Sequence, residues 1–122
     1  METCESVEII GSYGTKIWVR EGQIHREGGP AIEEADGTKK WCRNGLLHRE
    51  DGPAFEYANG DKEWYRNGKL HRMDGPAIEL HDGSKGWFRD GELYRENGPA
   101  IEWPGVSTAW FKNGKIIPIE NP

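Results

Sequence analysis

Cysteine is scarce in this chain. There are two in 122 residues, Cys4 and Cys42, and they form no Cys-x-x-Cys pair for redox or zinc chemistry. A reducing cytosol is the simplest setting for such a sequence, and a cytoplasmic location, in a microbe or an infected host cell, is expected. No apolar run approaches the ~20 residues needed to span a bilayer. The start, Met1-Glu-Thr-Cys-Glu, is acidic and lacks an apolar core, so no secretory leader is expected there. Helical signal is missing too, because a Gly or Pro interrupts every few residues and no 3.6-residue period is sustained. Hydrophobic residues make up 34% and charged residues 30%, too lean for a thick two-layer core.

An excess of one charge sign is also lacking. The net charge is −5, from 16 basic and 21 acidic residues interleaved along the chain. Residues 41–63 sum to −2 and residues 64–86 to +1. No basic stripe follows from this, which argues against nucleic acid and membrane lipid as partners. No solid acidic face emerges either, and a mixed, solvated surface is expected. The sequence has no G-x-S-x-G elbow, no G-x-x-x-x-G-K-[ST] phosphate loop and no HExxH. No enzymatic activity and no cofactor are expected.

What the chain does have is a repeat. Trp18, Trp41, Trp64, Trp87 and Trp110 stand 23 residues apart. Between them recur an Asn-Gly or similar turn, a Leu-His-Arg, a Gly-Pro-Ala, a Glu and an Asp-Gly. A fixed period in this range marks an array in which each unit covers its apolar surface with its neighbours. Full units run over 18–40, 41–63, 64–86 and 87–109, with partial units at 1–17 and 110–122, all in a single domain. The 17 Gly and seven Pro therefore read as periodic turns, not disorder. Six Trp, four Tyr and three Phe supplement the lean core, each aromatic burying roughly 150–250 Å². Cys42 holds the slot of Val19, Tyr65, Phe88 and Phe111, so it reads as a small apolar substitute.

Within a unit the signal is β. Trp-aromatic-Arg and Ala-Ile-Glu-Leu are short β-forming segments with turns on both sides. Asn67-Gly68 and Asp82-Gly83 both read as type I′ hairpin turns. Pairing across Asp82-Gly83 predicts Leu80 opposite Lys85, Glu79 opposite Gly86 and Ile78 opposite Trp87. Trp87, Ile78 and Leu80 would then share one face, with Ala77, Glu79 and Phe88 on the other. The segment Lys69–Met73 reads as either a third strand or an ordered loop, and a short return loop is favoured because Gly75-Pro76 forces an extended approach to Ala77. The predicted class is all-β: a single-layer array of antiparallel hairpins, elongated and twisted or half-open.

These elements resemble the MORN repeat, a 23-residue β-hairpin unit. The matching residues are the aromatic-to-turn segment Trp64-Tyr65-Arg66-Asn67-Gly68-Lys69, then His71, and the closing Asp82-Gly83. The likeness covers residues 7–122. It departs from the family in lacking Tyr-x-Gly and Gly-x-Gly spacing, with a His-Arg-x-Asp-Gly-Pro-Ala block instead, similar to divergent bacterial, phage and large-virus arrays. The resemblance implies protein–protein contact: scaffolding, dimerisation, or neutralising a partner as an inhibitor or antitoxin. No catalytic residue comes with it.

The one constellation that suggests chemistry is His25, His48 and His71 with Glu33, Glu56 and Glu79. Two strands per unit at ~4.8 Å each put equivalent residues about 10 Å apart, too far to share a metal whose ligands sit at ~2.0–2.1 Å. Each His-Arg pair is instead expected to brace its own unit, and His81 to sit exposed beside its turn. Aromatic and Arg residues are enriched at binding hot spots. Arg49, Tyr65, Arg72, His81, Phe88, Tyr94, Arg95 and Trp103 are therefore the candidate contacts for another protein. A homodimer through the terminal edge strands is a further expectation. A small-ligand or nucleotide pocket between units, built from Trp and Arg, is the alternative; an enzyme using the His ladder is a third reading.

Overall fold

The structure, a computed structural model, describes residues 7–96, 98–104, 110–112 and 115–117. Cys4, the Gly105-Val106 segment, the Asn113-Gly114 turn and residues 118–122 lie outside these. The described chain is all-β and antiparallel, and its sheet does not close into a barrel. Ten strands share one sheet, from Val7–Ile10 at one edge to Ile101–Glu102.

One unit shows the path. Lys39–Lys40 runs through Trp41 into Cys42–Arg43, turns at Asn44-Gly45 and returns through Leu46–Leu47. The His48 N–H donates to the Trp41 carbonyl at 2.9 Å, which carries the return strand on to the histidine. Residues 50–53 then leave the ladder. Ala54 re-enters it, accepting the Trp41 N–H at 2.7 Å and donating to the Glu63 carbonyl at 2.9 Å. Phe55–Glu56 completes the strand, and a second turn leads to Lys62–Glu63 and Trp64. The same bonds recur 23 residues on, from His71 to Trp64 and from Trp64 to Ala77. The two-stranded ribbons, such as Tyr65–Arg66 with Lys69–Leu70, are the far ends of these hairpins.

Three local expectations need correction. Asn67-Gly68 is a type I′ turn, with φ of 50° and 80°. At Asp82-Gly83 only the glycine has positive φ, 96°. There the Gly83 N–H donates to Leu80 and the Leu80 N–H to Ser84, giving a three-residue loop with glycine in the left-handed position. The extra loop residue shifts the register by one: Ile78 faces Gly86 and Glu79 faces Lys85. Every face assignment moves with it, because side chains alternate. Trp87 thus shares a face with Ala77 and Glu79, while Phe88 lies with Ile78 and Gly86. Finally, Lys69–Leu70 is strand, and the His71 and Arg72 N–H groups bond to Trp64 and Phe88 carbonyls. The return loop begins only after Arg72.

Little is fully buried. Among the described residues the buried apolar side chains are Ala31, Ala54, Ala77 and Ala100, each at 0% exposure, and Cys42. The four alanines hold one slot, beside the point where the loop rejoins the sheet. Cys42 is the small apolar residue expected, and burial pushes its thiol pKa up.

The loop is held by a stack. Arg26, Arg49, Arg72 and Arg95 lie over Trp18, Trp41, Trp64 and Trp87 of their own units, 3.7–4.0 Å from the ring centroids. Each guanidinium donates from Nη1 to a proline carbonyl (Pro30, Pro53, Pro76 or Pro99) at 3.0–3.1 Å. Its other face meets the motif glycine: a Cβ on Gly75 would stand 2.9 Å from the Arg72 Cζ, and one on Gly52 2.9 Å from that of Arg49. A side chain at these positions would have to displace the guanidinium, so glycine leaves the stack in place. The cation–π contact and the charge-assisted bond act on the same group.

Gly75→Ala is expected to destabilise the array by about 2 kcal/mol, the sum of a partly buried cation–π contact and a hydrogen bond from a charged donor. Chemical denaturation of Gly75→Ala, Arg72→Ala and the double variant tests the cause. In the Arg72→Ala background the glycine substitution should be nearly neutral; additive losses would contradict the stack. Cys42 in the folded protein should react with a thiol reagent near neutral pH far more slowly than in denaturant.

Candidate protein interface

The alternation of the strands gives the sheet two unlike faces. One carries the Trp–Arg stacks, the histidines, Glu56, Glu79 and Glu102, and the arginines Arg43, Arg66 and Arg89. Arg49 and Arg95 reach Glu56 and Glu102 of their own units at 3.4 and 3.2 Å. The other carries Ile32, Phe55, Ile78 and Ile101 with the aromatic residues that flank them.

On the first face the histidines join neighbouring units. His25, His48 and His71 each accept a backbone N–H at Nδ1, from Asn44, Asn67 and Asp90 at 2.9, 3.0 and 3.0 Å. These donors are the first turn residues of the following hairpin. The expectation that each His-Arg braces its own unit therefore holds for the arginine and is corrected for the histidine. A ring nitrogen that accepts a hydrogen bond carries no proton, so in this geometry the proton lies on Nε2. Burial and the Arg43 charge lower the His48 pKa.

Between units 41–63 and 64–86 this face opens into a groove of about 890 Å³. It brings together Arg43, His48, Arg49, Arg66, His71 and Arg72, with Glu50, Asp51, Asp74, Trp64 and Met73 at its walls. Asp51 and Asp74 are taken up by Arg49 and Arg72, at 3.1 and 3.2 Å. Arg43 stands 3.4 Å from His48 Nε2, while Arg66 has no ion pair among the described residues. A smaller groove of about 340 Å³ follows one unit later, joining Arg72, Phe88, Tyr94 and Arg95. There Arg89 lies over the Tyr94 ring at 4.3 Å, and the Tyr94 hydroxyl donates to Glu96.

The second face is covered in one place and open in another. Phe55 stacks on Tyr57, and Lys40 lies 4.8 Å from the Phe55 ring. The Tyr57 and Tyr65 hydroxyls both donate to Glu63, at 3.1 and 2.7 Å. Burial together with this carboxylate pushes the Tyr57 pKa to about 12 and raises that of Tyr65 as well. Gly86 takes the slot of Lys40 and Glu63 in the next unit. The Phe88 ring moves against it, and Ile78, Leu80, Ile101 and Trp103 line an apolar hollow of about 210 Å³.

The candidate contacts thus divide among separate places. Arg49 and Arg72 share the large groove, Arg72, Phe88, Tyr94 and Arg95 the smaller one, and Phe88 also meets Trp103 across the apolar hollow. Tyr65 is tied to Glu63. His81 is exposed beside its turn and pairs with Asp61 of the preceding unit at 2.7 Å. Among the described residues no three His, Cys, Asp or Glu side chains converge as a metal ion requires, and no helix is long and apolar enough to cross a membrane. The sequence reading overlooked Arg43, Arg66 and Met73. Met73 was open to detection, since it stands where Glu27, Glu50 and Glu96 stand in the other units. No family model matches the chain, nor does any curated protein or solved structure.

The pKa values of His81 and His48 are shifted in opposite directions. Asp61 raises the His81 pKa, by hydrogen bond and then by charge, and the His81 backbone and ring lower that of Asp61. The stabilisation from His81 is full below the ordinary histidine value of 6.5 and is lost as pH rises through its raised value. That from Asp61 is full above 3.8 and is lost as pH falls through its lowered value. Imidazole NMR should give a midpoint above 6.5 for His81 and below it for His48. His81→Ala should lower Tm most between those two limits; a pH-independent effect would contradict the pair.

Proposed function

We propose that this chain is a non-enzymatic, protein-binding array of MORN-like hairpins. The large groove of the first face supports this reading. It is open, it crosses from one unit to the next, and it is lined by arginine, tryptophan and histidine along the sheet. That suits a polypeptide laid across the strands, and Arg and Trp are residues that anchor such contacts. An inhibitor or antitoxin of a microbe or virus, acting in the cytoplasm by direct contact, is the sharper form of the proposal. It draws on the resemblance of the repeat.

A second copy is a further partner within this reading. Among the described residues Val7–Ile10 pairs on one side only, and Val7, Ile9 and Ile10 are 64%, 48% and 61% exposed. An exposed apolar edge of this kind templates strand addition.

Tagged protein incubated with microbial lysate, cross-linked and identified by mass spectrometry, tests the proposal. One recurrent protein partner is expected, held at equimolar ratio and released by high salt. A thermal-shift screen of nucleotides and metabolites run in parallel separates the small-ligand alternative. A large Tm rise with one small molecule, and no protein captured, would overturn the binding reading. Sedimentation should show a dimer that Ile9→Lys dissociates.

A further inference from the structure

The strand registers set one residue from each strand of the main path into a single unbroken row on the second face. Ile9 opposes Ile17, and Ile17 opposes Ile32. The row continues through Lys40, Phe55 and Glu63, each opposite the next. It ends with Ile78, Gly86 and Ile101. Nine successive strands therefore carry the order Ile, Ile, Ile, Lys, Phe, Glu, Ile, Gly, Ile, with Phe55 at the centre. Ile9 is exposed, and the other isoleucines and Phe55 are only half-buried, because no second layer covers them among the described residues. At ~4.8 Å per strand the row is roughly 38 Å long, and an apolar surface of that extent marks a contact with another body.

The row is complementary to its own reverse. Turned end for end about Phe55, it sets Lys40 against Glu63, Ile17 against Gly86, and Ile9 and Ile32 against Ile101 and Ile78. Two of these matches use what a single chain leaves open. Lys40 and Glu63 have no ion pair among the described residues: the ammonium lies 4.8 Å from the centre of the Phe55 ring, and the carboxylate accepts the Tyr57 and Tyr65 hydroxyls. Gly86 lines the apolar hollow of about 210 Å³, which an isoleucine side chain from above can enter. The adjacent row on the same face agrees, since Val19 and Cys42 fall opposite Phe88 and Tyr65, small against large. An unrelated apolar partner would account for the isoleucines, but not for a Lys and a Glu placed symmetrically about the centre.

We propose that two copies of this chain pack second face to second face, about a two-fold axis that runs along the strands at Phe55. Such an axis reverses the strand order of one sheet over the other, so each contact occurs twice. The apolar residues close into a core between sheets about 10 Å apart. Lys40 of each copy pairs with Glu63 of the other, and Ile17 of each fills the other's hollow. The contact lies on the face opposite the Trp–Arg stacks. It is distinct from edge pairing at Val7–Ile10, and it leaves the large groove open to a different protein.

Sedimentation equilibrium of the full chain should show a dimer. Lys40→Glu and Glu63→Lys each bring like charges together twice, and each should weaken it by at least about tenfold. The double variant should restore the dimer, and so should an equal mixture of the two single variants. Tm values confirm that each variant is folded. Should Glu63→Lys fail to fold, having lost the acceptor of two tyrosine hydroxyls, cross-linking decides instead. With Cys4→Ser and Cys42→Ala in place, Phe55→Cys should be joined to its counterpart by a bismaleimide spanning about 10 Å, the sheet separation. Edge pairing would hold those two positions nine strand spacings, roughly 43 Å, apart and would bring Ile9→Cys together instead. A monomer at high concentration, a dimer unchanged in the folded single variants, no recovery in the double variant or the mixture, or no cross-link at Phe55→Cys would each overturn the face-to-face dimer. A monomer that still captures one lysate protein would leave the protein-binding reading intact and refute only the dimer. A monomer that captures none would refute both.

Discussion

The whole array depends on a guanidinium wedged between an indole and a glycine. A single sheet has no opposing layer, and its side chains find few neighbours on which to close. The Trp–Arg–Gly stack supplies that neighbour locally by folding a four-residue loop back over the strand it left. The proline carbonyl completes the guanidinium's contacts, and the alanine beyond it is the small residue that the re-entry point accepts. Trp, Arg, Gly, Pro and Ala therefore form one physical object, not five independent features. Each unit builds its own small core, and stacking then multiplies it.

Cohesion between units is mostly polar. Strand pairing supplies the continuous part, and two recurring side-chain links add to it. One is the histidine that accepts the next turn's N–H. The other is the Thr38 or Asp61 oxygen that accepts the N–H of Ala58 or His81 from the following unit. Pro104 stands at the next equivalent position and has no N–H to give, so this second link ends there. Apolar closure is left to the second face, where Lys40 and Glu63 cover two rungs and Gly86 uncovers the third.

Much of the fold was legible in the sequence because period and turn chemistry are local. Asn67-Gly68 declared its turn type outright, since both residues need positive φ. Asp82-Gly83 looked equivalent and was not: the dipeptide is shared by two loop lengths, and only the ladder beyond it decides between them. That single-residue ambiguity inverted the face assignments. The motif glycines were read as turn residues, and their actual role depends on a guanidinium that approaches from outside the backbone. The histidine's partner lay 19 residues ahead in sequence, a distance invisible without the stacking geometry. Met73 was visible all along, as the one unit where Glu gives way to an apolar residue.

The histidine links all point one way. In every instance the side chain belongs to the earlier unit and the backbone N–H to the later one, and the Thr38 and Asp61 links share that sense. The array therefore has a polarity independent of its shape. Each unit thus offers a side-chain acceptor to the backbone of the unit that follows it. A chain emerging from the ribosome would meet, at each step, a preformed receptor for the segment still to come. Growth from the N-terminal end would add each segment to histidine acceptors already in place.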